Sequence, residues 1–254
     1  MKIGILTFHY AHNYGAMLQA YALSTWLNNN GYDAVIIDYR LPFIYDNHRK
    51  FTFRQFVKYY RSNNNLLFSF LKAAKNYRTH RNFCRMVKWT RFEDFLNNIL
   101  RKTDYIESIE QINQLGLDTI ICGSDQIWGP RWFDSHYFLD FVADSKRKIA
   151  YAPSIGVTEL SSFQAAWSMK KLISKIKYLS VREKTGCDEI SELTGRHDTI
   201  NVLDPVLLID GTFWEKMLTT SKQELPENDY MFIFFLKNNE EYIQFAIEEA
   251  KKKN

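Results

Sequence analysis

Apolar runs and segments of helical periodicity alternate along the chain. Near-continuous apolar runs are typical of strands buried on both faces of a parallel sheet, and a period of 3.6 residues indicates amphipathic helices. The apolar runs predict strands at Ile3–Phe8, Ala34–Tyr39, Thr119–Cys122, Ile149–Ala152, Tyr178–Val181 and, more weakly, Thr199–Leu203. The periodic segments predict helices at Ala16–Asn28, Phe163–Ser174 and Lys184–Leu193. This alternation predicts an α/β fold, with helices on both faces of a Rossmann-like parallel sheet.

A long segment, residues 51–100, interrupts the alternation. It contains no Gly or Pro, and its apolar residues fall at helical spacing, at Leu66, Phe70, Ala73, Ala74 and Tyr77 and then at Phe92, Phe95, Leu96 and Ile99. We therefore predict two or three inserted helices, within about residues 43–105. The first domain then covers residues 1–220 and a polar linker covers 221–229. Residues 230–254 supply a strand (Tyr230–Leu236) and a helix (Asn239–Lys252) that open a second, incomplete Rossmann-like domain.

The net charge of +4 hides an uneven distribution. From Arg40 to Tyr105 the chain has 15 Lys and Arg but 4 Asp and Glu, whereas the remainder has 18 against 25. Such a basic segment favours contact with anions or an acidic lipid surface, and a solvated helical face explains it equally well. Nucleic-acid binding is disfavoured, because no RRM, KH or helix-turn-helix pattern accompanies the charge.

The cellular compartment is predicted from the absence of a signal peptide and of a long apolar segment, and from the spacing of the cysteines. The start, MKIGILTF, has neither the long apolar stretch nor the cleavage site of a signal peptide, and no window approaches about 18 uninterrupted apolar residues. Cys84, Cys122 and Cys187 are far apart and have no metal-ligand spacing. We expect a cytoplasmic protein with reduced cysteines. A peripheral position at the inner membrane face is the alternative that the basic insert leaves open.

Polar and small residues follow the predicted strands, where ligands bind in open parallel sheets. The first strand leads into a loop and a helix start that carry Asn13, Tyr14 and Gly15. Asn13 is the predicted N-cap, and the amides of the first helical turn suit an anion or a sugar hydroxyl. The GxGxxG spacing of a dinucleotide site is absent.

The loop after the third predicted strand reads Gly123-Ser124-Asp125-Gln126-Ile127-Trp128. Gly permits close backbone approach, Asp and Gln offer partners for hydroxyls, and Trp offers a stacking face, a combination that suits a carbohydrate. The alternative is a turn in which Asp125 caps a short helix. Another tight turn, Pro153-Ser154-Ile155-Gly156, follows the fourth strand.

Arg182 and Glu183 follow the fifth predicted strand. Arg182 can clamp a carboxylate or phosphate while Glu183 orients it, or the two residues form an ordinary ion pair at a helix start. A metal site is not expected, because His9 and His12 have no third ligand near them in sequence. The sequence has no Walker A loop, Ser-His-Asp motif, CxxC pair or recognisable redox-cofactor site.

Several of these blocks, in order and spacing, resemble the polysaccharide pyruvyl transferases. The blocks are Asn13-Tyr14-Gly15-Ala16 with Leu18-Gln19-Ala20, Phe92-Glu93-Asp94-Phe95, Gly123-Ser124-Asp125-Gln126-Ile127-Trp128, Ala150-Tyr151-Ala152-Pro153-Ser154-Ile155-Gly156, Ser180-Val181-Arg182-Glu183 and Leu203-Asp204-Pro205-Val206-Leu207-Leu208. The resemblance runs from residue 2 to about residue 236. The Gly-Ser-Asp-Gln-x-Trp and Asn-Tyr-Gly blocks are the most distinctive.

The resemblance implies a GT-B-like pair of Rossmann-type domains with the site in the cleft between them. It also implies transfer of the enolpyruvyl unit of phosphoenolpyruvate to a sugar of a cell-surface polysaccharide or its precursor. A cyclic pyruvate ketal forms, phosphate leaves, and no cofactor is needed. Arg182 and Glu183 then resemble the donor-anion site. The other implied substrate-binding residues are Asn13, Tyr14, Gly15, Gln19, Gly123, Ser124, Asp125, Gln126, Trp128, Ser154 and Gly156.

The resemblance assigns the acid/base role to a His in a Ser-Phe-His-Gly-like segment of the second domain, and these 254 residues contain no such segment. We therefore expect the chain as given to fold but to lack catalytic competence alone. Two other functions stay open, a glycosyltransferase-like enzyme with another activated donor and a non-catalytic sugar- or anion-binding module. The expected partners are phosphoenolpyruvate and a glycan or lipid-linked sugar acceptor. A homo-oligomer is compatible with the sequence, and no nucleic-acid partner is expected.

Overall fold

Seven parallel strands form one sheet in the computed structural model, which describes residues 1–41, 67, 71, 83–143, 146–219, 230–233, 235 and 239–252. In chain order they are β1 (Lys2–Leu6), β2 (Asp33–Tyr39), β3 (Lys102–Ile106), β4 (Thr119–Gly123), β5 (Arg147–Tyr151), β6 (Tyr178–Val181) and β7 (Ile200–Asn201). Their order across the sheet is β3-β2-β1-β4-β5-β6-β7, with every neighbouring pair parallel. The predicted parallel α/β fold is confirmed.

The described part of the chain also forms seven α-helices. They are α1 (Tyr14–Asn29), α2 (Phe83–Asp94), α3 (Ile109–Gln114), α4 (Ala166–Ile173), α5 (Lys184–Thr194), α6 (Gly211–Thr219) and α7 (Glu240–Lys252). The sheet grows from β1 towards β3 in one direction and from β4 towards β7 in the other. Right-handed crossovers therefore put helices on both faces, and the crevice between β1 and β4 is where such folds bind ligands.

Strand β3 is the element that the sequence pattern missed. It pairs with β2 at the edge of the sheet, and of its five residues only Ile106 is buried. An edge strand has one neighbour and a solvated surface, so its sequence, KTDYI, shows no apolar run. The third strand of the chain is thus Lys102–Ile106, and the strand predicted at Thr119–Cys122 is the fourth.

Helix α1 packs closely on the sheet and places the loop after β1. Asn13 is its N-cap, as predicted, and the Asn13 side chain accepts a hydrogen bond from the Ala16 amide at 3.2 Å. The buried face of α1 includes Leu23, which lies over the end of β4. A Cβ at Gly123 would come within 2.8 Å of the Leu23 Cδ2 atom, so this glycine allows the close approach of helix and strand.

The carboxyl-terminal end of the helical insert packs into the core. Phe92 and Leu96 are 5% and 2% exposed, and Phe95 packs against the core. Ile99, in the π-helical turn Phe95–Ile99, is 46% exposed. This end of the insert is therefore more than a solvated face. The other residues of the predicted insert helices, Leu66, Phe70, Ala73, Ala74 and Tyr77, lie outside the described residues.

The chain divides into two compact units, Met1–Asp210 and Gly211–Asn254. The second unit contains α6 and α7, and α7 buries none of its side chains. Residues 230–233 and 235, the described part of the strand predicted at Tyr230–Leu236, belong to no helix or strand. The linker predicted at 221–229 lies outside the described residues, and the domain division stays a prediction. Among the described helices, none has the length and apolar character to cross a membrane.

Candidate active site

The loops after β4, β6 and β7 bring a hydroxyl, a guanidinium and two carboxylates together at one edge of the sheet. The Nη1 of Arg182 donates to the Oδ2 of Asp204 at 2.9 Å, and its Nε donates to the Oε1 of Glu183 at 3.0 Å. The Oγ of Ser124 also donates to the Oδ2 of Asp204, at 3.3 Å. This cluster is the centre of the candidate site. It contains the predicted residues Ser124, Arg182 and Glu183 together with Asp204, which was not among the predicted site residues.

Local backbone contacts hold the cluster in place. The Arg182 amide donates to the Pro153 carbonyl at 3.2 Å, and the Asn201 side chain donates to the Arg182 carbonyl at 2.9 Å. Asp204 caps the 3₁₀ helix Pro205–Leu208, because its Oδ1 accepts from the Val206 amide at 3.0 Å. The Asp-Pro sequence thus orients one carboxylate oxygen into its own turn and leaves the other for Arg182.

Arg182 keeps its charge although its side chain is only 27% exposed. Burial alone would lower the pKa of the guanidinium, but the hydrogen bonds from Asp204 and then Glu183 outweigh it and raise the pKa. Its Nη2 makes no hydrogen bond with any residue that the structure describes. One edge of a permanently charged guanidinium is therefore left for an anion.

Asp125 adds a carboxyl whose proton affinity is raised. Burial raises the pKa of Asp125, and the nearby Asp204 and Glu183 carboxylates raise it further, against the Gln126 amide and Arg182. Its backbone adopts the left-handed conformation with φ of 68°. The carboxylate also accepts from the Gln126 amide at 2.8 Å, but it caps no helix, because the next helical turn, Pro130–Trp132, has Gly129 as its N-cap.

The loops after β4 and β5 are bonded to each other. The amide of the buried Ser154 donates to the Asp125 carbonyl at 2.8 Å, and the Trp128 amide donates to the Ser154 carbonyl at 3.3 Å. Gly156 adopts φ of +66°, and a Cβ there would lie 3.1 Å from the exposed side chain of Gln126. The structure thus brings Asp125, Gln126, Ser154 and Gly156 into one double loop, as adjacent parallel strands require.

Trp128 corrects an expectation. Its side chain is 0% exposed, its ring stacks on Phe138 at a centroid distance of 5.0 Å, and its Nε1 donates to the Tyr137 carbonyl at 3.0 Å. It offers no stacking face to a sugar, because an indole that anchors a loop through packing and a buried hydrogen bond is closed to solvent. Trp128 instead supports the floor of the double loop.

The residues predicted around α1 divide into exposed and buried ones. Asn13, Tyr14 and Gly15 are exposed, and the Tyr14 ring lies 4.9 Å from that of Phe92. Gln19 is 1% exposed, and its Nε2 donates to the Thr7 Oγ1 at 2.9 Å and to the Ala16 carbonyl at 2.8 Å. Gln19 therefore braces the start of α1 from below.

Thr7 completes a buried link from α1 to the candidate site. Its Oγ1 accepts from Gln19 and donates to the Ser124 carbonyl at 2.9 Å. The Oε1 of Gln19 is buried and has no hydrogen-bond partner among the residues that the structure describes. The chain Gln19–Thr7–Ser124 ties the crevice between β1 and β4 together.

The sequence analysis missed a second charged cluster. Its residues lie after β1, at the carboxyl end of β2 and at the first residue of β3. The fully buried Asp38 accepts from the Nη2 of Arg40 at 2.7 Å and from the Nζ of Lys102 at 2.8 Å. The Nε2 of His9 lies 3.0 Å from the Oδ1 of Asp38, and its Nδ1 lies 3.0 Å from the Thr7 carbonyl. Each ring nitrogen of His9 therefore faces an oxygen acceptor.

Electrostatics keep Asp38 ionised in this cluster. Burial alone would raise the pKa of Asp38, but the hydrogen bonds from Arg40, His9 and Lys102 prevail and hold the pKa far below its ordinary value. The signal in the sequence is a carboxylate at the end of the apolar run Ala34–Tyr39. Its partner Lys102 was hidden because β3 was not predicted.

His12 has different contacts from His9. Its Nε2 lies 2.8 Å from the Oε1 of Glu93, and its ring stacks on Phe92 at 5.3 Å. The hydrogen bond from His12 lowers the pKa of Glu93. Within the described ranges, no group of three or more His, Cys, Asp and Glu side chains is arranged to hold a metal ion.

A comparison with protein families gives one match. The model of the family described as polysaccharide pyruvyl transferase matches residues 13–254. The matched residues include both clusters except His9. No curated protein and no solved structure matches the chain.

Proposed function

The chain belongs to the polysaccharide pyruvyl transferase family, and we propose that it transfers the enolpyruvyl unit of phosphoenolpyruvate to a sugar of a cell-surface polysaccharide or of its precursor. The product is a cyclic pyruvate ketal, and phosphate is released. The acceptor belongs to exopolysaccharide biosynthesis in this proposal, and is a free or a lipid-linked glycan. The chemistry needs no redox cofactor.

The observation that carries the proposal is the half-buried Arg182. Phosphoenolpyruvate presents a phosphate and a carboxylate, and a guanidinium with a free edge binds such groups through charge-assisted hydrogen bonds. Asp204 and Glu183 hold the Nη1 and Nε of Arg182, and its Nη2 makes no hydrogen bond with the described residues. Holding the cation in one orientation before the donor arrives reduces the entropy lost on binding.

The reaction needs proton transfers at three places, two acceptor hydroxyls and C3 of the enolpyruvyl unit. One acceptor hydroxyl gives up its proton as its oxygen bonds to C2 of the enolpyruvyl unit, while C3 gains a proton. Phosphate then leaves with the electrons of its C–O bond, and a second hydroxyl closes the ketal and loses its proton. Asp125 supports these steps because burial raises its pKa, so its carboxyl exchanges protons closer to neutral pH than an ordinary Asp.

The basic insert supports a proposal for where in the cell the protein acts. We assign it a peripheral contact with an anionic membrane, where a lipid-linked acceptor would be found. The support is the excess of 15 Lys and Arg over 4 Asp and Glu between Arg40 and Tyr105. Co-sedimentation with vesicles should rise with the fraction of anionic lipid and fall with salt. Equal binding to neutral and anionic vesicles would contradict this assignment.

Donor identity is the sharpest test of the function. Phosphoenolpyruvate should raise the melting temperature of the chain, and any phosphate released from it should appear only when a sugar acceptor is present. Protection by nucleotide sugars without protection by phosphoenolpyruvate would instead identify a glycosyltransferase-like enzyme. The same assays on Arg182→Ala and on Arg147→Ala separate a site effect from a general loss of charge. Arg147 is exposed at the first residue of β5, the end of the strand away from the site.

A further inference from the structure

A groove with an exposed tryptophan lies between α4 and α5, apart from the residues assigned to the candidate active site. Its volume is about 370 Å³, and Phe163, Trp167 and Leu193 form its apolar lining. The side chain of Trp167 is 66% exposed, and the Nζ of Lys171 lies 3.4 Å from the ring centroid. Trp167 therefore offers an exposed indole surface at the groove.

The polar lining of the groove is free to bind. Gln164, Lys170 and Glu192 line it, and their side chains form no hydrogen bond or ion pair with the residues that the structure describes. Glu189 is engaged, since its Oε2 accepts from the Leu160 amide at 2.6 Å and so fixes the segment at the rim. An amide, an ammonium and a carboxylate around an aromatic surface suit a ligand with apolar ring faces and many hydroxyls.

The position of the groove connects it to the candidate active site. Helix α5 begins at Lys184, immediately after Arg182 and Glu183, and carries Glu189 and Glu192 further along. At 1.5 Å per residue, Glu189 lies about 9 Å along the helix axis from Glu183. A chain of a few sugar residues covers such a distance.

We propose that this groove binds a distal part of the acceptor glycan, beyond the sugar that reacts. The inference rests on the proposed function, because the family's polysaccharide acceptor gives the ligand its class. Contact at two places makes the second binding event intramolecular, so affinity should rise with glycan length. The groove thereby selects an oligosaccharide over a free monosaccharide.

The experiment titrates the chain with galactose, glucose and a β-linked tetrasaccharide of each. The indole N–H resonance of Trp167, assigned by its loss in Trp167→Phe, should move with at least one tetrasaccharide and much less with the monosaccharides. Trp167→Ala should weaken tetrasaccharide binding by about tenfold, a common effect of removing a central interface tryptophan. Trp26→Ala is the matched control, because Trp26 is 37% exposed on another helix, and it should leave the affinity unchanged.

Three results would overturn the proposal. They are a Trp167 resonance that no tetrasaccharide moves, equal affinities of Trp167→Ala and the unaltered chain, and a resonance that moves with protein concentration alone. The last would mean that a second copy of the chain covers the groove. Protection of the chain by phosphoenolpyruvate against thermal unfolding is measured separately, because the chain alone is not expected to turn over. Absence of protection alongside intact tetrasaccharide binding refutes only the proposed donor, and protection with an unresponsive Trp167 refutes only the groove.

Discussion

Arg182 and Asp204 form an ion pair with their Nη1 and Oδ2 atoms 2.9 Å apart, across 22 positions of the chain. The pair bridges the loops after β6 and β7, and Ser124 joins it from the loop after β4. Because parallel strands end at one edge of the sheet, these short loops meet without a long connection. The candidate site is therefore a product of strand order more than of any one motif.

Replacing Arg182 with Ala should weaken binding of phosphoenolpyruvate by about 1.5–3 kcal/mol, the range for a hydrogen bond to a charged group. The reason is the loss of the Nη2 edge that Asp204 and Glu183 hold in place. Isothermal titration calorimetry measures the change directly. Arg182→Lys should restore only part of the affinity, because an ammonium cannot bind two oxygens in a planar fork. Unchanged donor affinity in Arg182→Ala would remove Arg182 from the donor site.

Replacing Asp204 with Asn should lower the free energy of unfolding by about 1 kcal/mol, because an ion pair becomes a hydrogen bond between a cation and a neutral amide oxygen. The donor affinity should fall as well, since Arg182 loses the carboxylate that orients it. Denaturant unfolding and calorimetry report the two effects. Asp198→Asn is the control, because the Asp198 side chain is 64% exposed and pairs with Arg196 instead of with Arg182. A loss of affinity as large in the control would contradict the orienting role of Asp204.

Replacing Asp38 with Asn should lower the free energy of unfolding at neutral pH by about 3–5 kcal/mol, because Arg40 and Lys102 lose their buried counter-charge. The pKa of Asp38 is lowered in the folded chain. Its contribution is therefore fully present above the unfolded-state pKa of about 3.9, and is lost as the pH falls from there through the folded-state pKa.

The pH profile of unfolding tests this sign. The stability difference between the unaltered chain and Asp38→Asn should be constant near neutral pH and should shrink below about pH 4. Asp104→Asn, an exposed carboxylate on β3, should show no comparable difference. A difference that grows in acid would mean that Asp38 is protonated in the folded chain at neutral pH.

The sequence predicted the central strands well and the edges of the structure poorly. β1, β2, β4 and β6 are mostly buried and β5 is partly buried, and their apolar runs identify them. β3 reads KTDYI because it lies at an edge, and missing it hid the partnership of Lys102 with Asp38. Periodicity detects burial along a single segment, and a charge pair between two strands leaves no trace in either one.

The candidate site shows a similar division. Arg182, Glu183 and Ser124 follow strand ends, and the structure brings these three predicted residues together around Asp204. The roles of Trp128 and Gln19 were misjudged, because polar or aromatic atoms in a loop look alike whether they face solvent or anchor the loop from inside. Asp204 was present in a recognised block, but only its hydrogen bonds to Arg182 and Ser124 reveal a role in the site.

A substitution at Gly123, at the end of β4, can test whether this glycine is needed for core packing or for contact with a ligand. A methyl group there would meet the Leu23 Cδ2 atom at 2.8 Å and the Ile5 Cγ2 atom at 3.4 Å. Both contacts lie in the core, so Gly123→Ala should lower the free energy of unfolding by about 1–3 kcal/mol, the usual effect of overpacking. It should also displace α1 and, through Gln19 and Thr7, the Ser124 loop. Donor affinity should fall together with stability.

The control for Gly123 is Gly211→Ala, because a methyl group at Gly211 meets no atom within 4 Å. It should leave donor affinity unchanged, and alanine in a helix should not reduce stability. Denaturant unfolding and calorimetry on both variants give the comparison. If Gly123→Ala kept full stability and still lost donor binding, the glycine would be needed for contact with the ligand, as its sequence block first suggested. Loss of both together would identify the close approach of α1 and β4 as the feature that shapes the crevice.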